Sequence, residues 1–96
     1  MLELRPVCEN CNKSLPSDST EARICTYECT FCADCVRTIL HNVCPNCGGG
    51  FVHRPIRPKA QLQKHPAATK PLYQPVDMEK FQLFLKKYKG VLPEER

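Results

Sequence analysis

TFCADCVRTILHNVCPNC, residues Thr30–Cys47, carries two C-x-x-C pairs, Cys32–Cys35 and Cys44–Cys47, with eight residues between them. A C-x-x-C pair forms a tight knuckle that presents two sulfurs to one tetrahedral ion. Between the pairs, Val36, Ile39, Leu40 and Val43 recur at helical spacing, so VRTILHNV reads as two turns of helix. Such a helix would carry Cys44 about 12 Å along its axis from Cys35, given a rise of ~1.5 Å per residue. Unless the chain folds back, these two pairs serve different ions.

The full spacing is Cys8-x2-Cys11-x13-Cys25-x3-Cys29-x2-Cys32-x2-Cys35-x8-Cys44-x2-Cys47. Eight thiolates make two closed four-sulfur sites, the chemistry of structural Zn²⁺; a catalytic zinc keeps one position open for water. Buried, unliganded cysteines would have no reason to fall in paired spacing. Sequential pairing would put Cys8, Cys11, Cys25 and Cys29 on one ion and the last four on the other, against the helix. Interleaved pairing avoids the conflict, with Cys8, Cys11, Cys32 and Cys35 on one Zn²⁺ and Cys25, Cys29, Cys44 and Cys47 on the second.

Composition narrows the class further. The 96 residues include 22 Leu, Ile, Val and Phe, too few for a large core, and chains this small often fold around disulfides, metals or partners. No apolar run approaches the roughly 20 residues that span a bilayer. The start, MLELRPVCEN, has acidic Glu3 and no apolar signal core. The expectation is a soluble cytoplasmic protein, and in a reducing compartment eight cysteines argue for metal over disulfides.

The formal charge of +4 averages two unlike halves. Residues 1–50 hold four Lys/Arg against six Asp/Glu; residues 51–96 hold ten against four. Eight zinc-bound thiolates take the first half to about −6 and the whole chain to about zero. An acidic head with a basic tail gives little support to nucleic-acid binding through bulk charge.

The cysteine-rich module is expected over residues 1–50, ending at Gly48-Gly49-Gly50. Residues 51–75 hold five prolines and five basic residues without an acid, and read as an extended linker that need not pack. Residues 76–90 read as an amphipathic helix. Asp77 is the N-cap, Val76 staples onto Phe81, and Met78, Phe81, Phe84, Leu85 and Tyr88 form the apolar stripe. Lys86, Lys87 and Lys89 suit its C-terminal dipole, Gly90 and Pro93 end it, and a tail covers 91–96.

The run from Thr30 to Cys47 resembles the second half of a RING finger, and all eight ligand positions fit that family's cross-brace, with Cys29 where a histidine is usual. The resemblance implies a small metal-stabilised α+β fold of treble-clef type. It also implies interleaved ligation, a short hairpin around Ala22–Phe31 and a helix after Cys35. It does not extend to ubiquitin transfer. Glu9 and Asn10 stand where an apolar groove residue is expected, Ile39 where tryptophan is frequent and Gly48 where a cation commonly follows the last ligand; Pro45 alone is retained. Over about residues 1–58, MLELRP, CTFCADCV and CPNCGGGFVHRPIRP more closely resemble a bacterial family of small cysteine-rich proteins of uncharacterised function. That resemblance brings no activity with it.

Rival chemistries fit less well. A ferredoxin run of C-x2-C-x2-C-x3-C-P is broken by the eight-residue gap before Cys44. Thiol redox catalysis would need a strand–helix setting of the thioredoxin kind. No His-Glu pair stands at ligand spacing for hydrolysis. His41 reads as a solvated helix position, His53 and His65 as solvent-facing, and Asp34 and Glu28 as surface charges. The function expected is a non-catalytic zinc scaffold that presents a surface to a protein partner or to a second copy through the C-terminal helix. A nucleic-acid accessory protein using Arg54, Arg57, Lys59, Lys64 and Lys70 is the alternative.

Overall fold

The computed structural model describes residues 1–96. β1 (Ala22–Ile24) and β2 (Thr30–Cys32) form an antiparallel hairpin with Ala22 opposite Cys32, Arg23 opposite Phe31 and Ile24 opposite Thr30. The turn is closed by Glu28, whose left-handed φ of 62° lets its amide bond to the Cys25 carbonyl at 3.1 Å. Two three-residue strands are too short to stand alone. A third, β3 (Val52–His53), pairs with the free edge of β1, giving the order β2-β1-β3.

α1 (Ala33–Cys35) begins inside the knuckle, with Cys32 as its N-cap. It runs on into a π-wound segment, Val36–Leu40, closed by the His41 amide on the Val36 carbonyl. His41 and Asn42 then take left-handed φ values of 50° and 60°, which stops the helix before Val43. The two regular turns expected over 36–43 are therefore one wide turn and a reversal. The reversal turns Val43 inward, where Leu40 and Val43 are both fully enclosed.

The stretch from residue 51, read as an extended linker that need not pack, does pack at its start. Beyond β3, Arg54 is 1% exposed, and its guanidinium donates to the carbonyls of Arg5 (2.8 Å), Leu15 (3.1 Å) and Pro16 (2.9 Å). The planar fork supplies several donors in fixed geometry, so one side chain satisfies a whole N-terminal loop. Arg57 donates to the Leu2 and His65 carbonyls, flanking the single turn α2 (Lys59–Leu62). The remaining strap lies along the N-terminal segment through Ala68 amide to Glu3 carbonyl and Gln74 amide to Glu9 carbonyl, both 2.8 Å.

α3 (Met78–Tyr88) starts at Asp77, whose carboxylate accepts from the amides of Glu79 and Lys80. Phe81 is 2% exposed and joins Phe31, Leu40 and Val43 in the core, with Val76, Phe84, Leu85 and Tyr88 packed alongside. Met78, expected on the same stripe, is 40% exposed. Gly90 ends the helix at φ 80°. A 3₁₀ turn, Pro93–Glu95, then brings Arg96 onto the carbonyls of Asn42 (2.8 Å) and Gly48 (3.2 Å). No helix is long and apolar enough to cross a membrane.

Candidate metal centres

Two knuckles share one backbone plan. In Cys8-Glu9-Asn10-Cys11-Asn12-Lys13, the Asn12 amide bonds to the Cys8 carbonyl (3.0 Å) and the Cys8 amide to the Lys13 carbonyl (2.9 Å). In Cys44-Pro45-Asn46-Cys47-Gly48-Gly49, Gly48 bonds to the Cys44 carbonyl and Cys44 to the Gly49 carbonyl, each at 2.8 Å. Both plans need a left-handed residue after the second cysteine, and Asn12 (φ 65°) and Gly48 (φ 77°) supply it, the residue types that tolerate it best.

The first knuckle faces Cys32 and Cys35. The sulfurs of Cys8, Cys11, Cys32 and Cys35 all lie within 4.8 Å of one another. Cys11 Sγ and Cys32 Sγ, from different knuckles, stand 3.7 Å apart. Four sulfurs at the ~2.3 Å Zn–S distance of a tetrahedral site would be spaced at about 3.8 Å. The donor set and its spacing therefore fit a zinc-sized ion. Cys25, Cys44 and Cys47 make a second group within the same 4.8 Å limit, and Cys29 stands outside it.

Donors surround these sulfurs. The Cys35 amide donates to Cys32 Sγ (3.4 Å), Tyr27 to Cys25 (3.3 Å) and Gly49 to Cys47 (3.4 Å). The side-chain amide of Asn10 donates to Cys35 Sγ at 3.5 Å, and that of Asn46 to Cys29 Sγ at 3.4 Å. Such outer hydrogen bonds orient ligands and stabilise thiolate charge. Each asparagine stands just before the second cysteine of its knuckle.

The electrostatics favour a cation. Burial pushes the thiols of Cys32, Cys35 and Cys44 above the usual cysteine range, and neighbouring cysteines add to the rise: Cys8 for Cys32 and Cys35, Cys29 and Cys25 for Cys44. For Cys11 burial works the same way, yet the Lys13 amide and the Cys8, Cys32 and Cys35 thiols outweigh it and bring its pKa down. One thiolate is stabilised by its protonated neighbours, but all four cannot ionise together without an opposing charge, and a bound divalent ion supplies it.

Other residues singled out in the sequence lie apart from these groups. His41 is the exposed residue that closes the π-wound segment, and neither cluster includes a histidine. Asp34 pairs with Arg37 at 3.1 Å on the surface. Glu28 accepts the Glu3 amide. Glu9, in the first knuckle, is 3% exposed and accepts from the Thr30 amide (2.8 Å) and the Arg5 guanidinium (3.2 Å). Between the knuckles and α3 lies a groove of about 480 Å³ lined in part by Phe31, Pro45, Asn46, Val76, Lys80 and Phe84.

A family model described as a protein of unknown function (DUF1272) matches residues 1–57. The chain belongs to this family. The span agrees with the resemblance read over residues 1–58, and it takes in β3, Arg54 and Arg57 beyond the triple glycine. The uncharacterised protein R02474 of Rhizobium meliloti (strain 1021) is 56% identical over 75 residues, 78% of this chain and 89% of that protein. Since 75 aligned residues exceed the 57 of the family match, at least 18 of them lie beyond Arg57. No solved structure matches.

Spacing alone brought the eight cysteines into view. Asn10, Asn46 and Arg54 were not singled out as parts of the site or its frame. The repeated C-x-N-C of Cys8–Cys11 and Cys44–Cys47 was the available signal for both asparagines.

Proposed function

We propose that this protein is a structural two-zinc module of RING-like, treble-clef type. Cys8, Cys11, Cys32 and Cys35 hold one Zn²⁺, and Cys25, Cys29, Cys44 and Cys47 the other. The observation that carries the reading is the first group: four sulfurs from two knuckles, far apart in sequence, gathered within 4.8 Å. Cys29 enters the second set by analogy, because Asn46 reaches it as Asn10 reaches Cys35. Bound zinc would supply charge compensation and a cross-link; the fold supplies no substrate step to it.

The role that follows is a non-catalytic scaffold presenting a surface to another protein in the reducing cytoplasm, where such thiolates persist. Support comes from the groove beside the second knuckle and from Tyr27 and Leu83, which are exposed at 74% and 71%. The nucleic-acid reading loses two cations of its basic stretch, since Arg54 and Arg57 are committed to backbone carbonyls.

Metal analysis of the purified protein tests the module. Two zinc ions per chain are expected, each with four sulfurs at about 2.3 Å by X-ray absorption. Chelation at neutral pH should unfold residues 7–50, because the few apolar residues there do not offset the entropy of ordering the chain. One ion per chain, an iron chromophore or a folded chelated form would refute the proposal. Salt-dependent binding to generic DNA or RNA would favour the alternative.

A further inference from the structure

We infer that Cys11 and Cys32 are the oxidation-sensitive pair of this protein, closing a disulfide in response to a peroxide and releasing the first metal ion while the second stays bound. The inference rests on the metal-binding reading above. Of the eight cysteines, Cys11 alone is exposed; Cys47 is half-buried and the other six are buried. Reactivity of metal-bound thiolates follows access to the sulfur, so a solvent-borne reagent meets Cys11 first.

The partner is set by geometry. Cys32 Sγ stands 3.7 Å from Cys11 Sγ. Closing that gap to a disulfide length of ~2.05 Å takes a movement of roughly 1.7 Å, within reach of side-chain rotation. The second centre is shielded in a different way. Its last knuckle lies against the C-terminal segment, with Tyr88 on Gly48, Pro93 on Gly50 and Arg96 bonded to the Gly48 carbonyl. Exposed cysteine and near partner therefore coincide at the first centre, while at the second the most accessible cysteine, Cys47, is only half-exposed and its knuckle is braced by the C-terminal segment.

The chemistry balances. The Cys11 thiolate attacks one oxygen of hydrogen peroxide; an S–O bond forms, the O–O bond breaks, hydroxide leaves and the sulfur gives up two electrons. The Cys32 thiolate then attacks the Cys11 sulfur; the S–S bond forms, the S–O bond breaks and a second hydroxide leaves. Two thiolates have become one disulfide, one peroxide has become two hydroxides, and Zn²⁺ departs in its original oxidation state with two ligands left behind.

The test uses the full chain loaded with zinc, its metal content measured before any oxidant is added. A brief pulse of N-ethylmaleimide should label Cys11 ahead of the other seven cysteines. In a separate, unlabelled sample, limited hydrogen peroxide should release one zinc of two, seen with a metallochromic dye, in step with a Cys11–Cys32 disulfide located by peptide mass mapping. A different first disulfide, both ions leaving together, or another cysteine labelled first overturns the inference while leaving the zinc module intact. A chain that holds no zinc before peroxide is added overturns the metal-binding reading itself, and the release with it.

Discussion

A β-carbon placed on Gly48 would stand 2.7 Å from Cε2 of Tyr88, so the last knuckle and the C-terminal helix meet with no room for a side chain. The equivalent position of the first knuckle is Asn12, at nearly the same φ. The knuckle backbone itself therefore accepts asparagine; the ring of Tyr88 is what excludes it. Gly48→Asn is expected to cost about 1–3 kcal/mol through overpacking. Tyr88→Ala in the same chain should return much of that loss, a coupling read from a double-mutant cycle of chemical unfolding. Additive losses would mean that the helix does not sit on this knuckle.

The two knuckle asparagines make a matched experiment. Removing an outer hydrogen bond to a metal ligand commonly lowers metal affinity about 10–100-fold. Asn46→Ala is expected to weaken zinc at the second centre by that factor, and Asn10→Ala at the first, each leaving the other centre unchanged. Competition with a chelator of known affinity, resolved by native mass spectrometry, measures both.

Arg54 is the main bond between β3 and the loop at residues 5–16. Arg54→Met retains apolar volume but strands three carbonyls, at an expected cost of about 2–4 kcal/mol in the zinc-loaded protein. Arg54→Lys should fall between, because one ammonium cannot reproduce the fork. Thermal unfolding with zinc held constant checks the order.

Phe81 is the anchor of the C-terminal helix in the core. Phe81→Ala should cost about 3–5 kcal/mol. Amide exchange should show protection falling first over residues 76–96, with both metal ions retained. Uniform loss of protection together with loss of zinc would show that helix and module do not separate.

Zinc uptake should release protons. A free cysteine thiol has a pKa of about 8.5 and is protonated at neutral pH, so the metal-free, unfolded chain must lose thiol protons to ligate the ion. Most of the eight thiol protons are expected in solution when two ions bind near pH 7, measured with an indicator dye in weak buffer. In the opposite direction, acid should expel the metal, since protons and zinc compete for the same sulfurs.

Legibility varied with the kind of interaction. The helix at Asp77–Tyr88 was readable because its cap, its apolar spacing and its stop at Gly90 are local signals. The separation of Cys35 from Cys44 was readable, although the segment between them winds as one π turn closed by His41 and Asn42 in place of a regular helix. The third strand escaped notice because Val52–His53 has only two residues, too few to carry a period. Arg54 escaped because a lone arginine among prolines looks the same whether solvated or buried; its partners lie 38 to 49 residues away.

By itself the sequence determined which atoms are available: eight sulfurs in paired spacing, an all-thiolate donor set, and an amphipathic helix with both ends marked. These are decided over a few bonds, where covalent geometry and local hydrogen bonding leave few options. The meeting of Cys8 and Cys11 with Cys32 and Cys35 was also legible, from the span that separates Cys35 from Cys44. Only the tertiary structure decided that Cys29 stands outside the second group, that Cys11 is left facing solvent, and that residues 51–96 strap back over the module. Those outcomes depend on which distant carbonyl a guanidinium reaches and on which glycine leaves room for a ring. Such contacts are long-range, and burial of the whole chain selects among them at once.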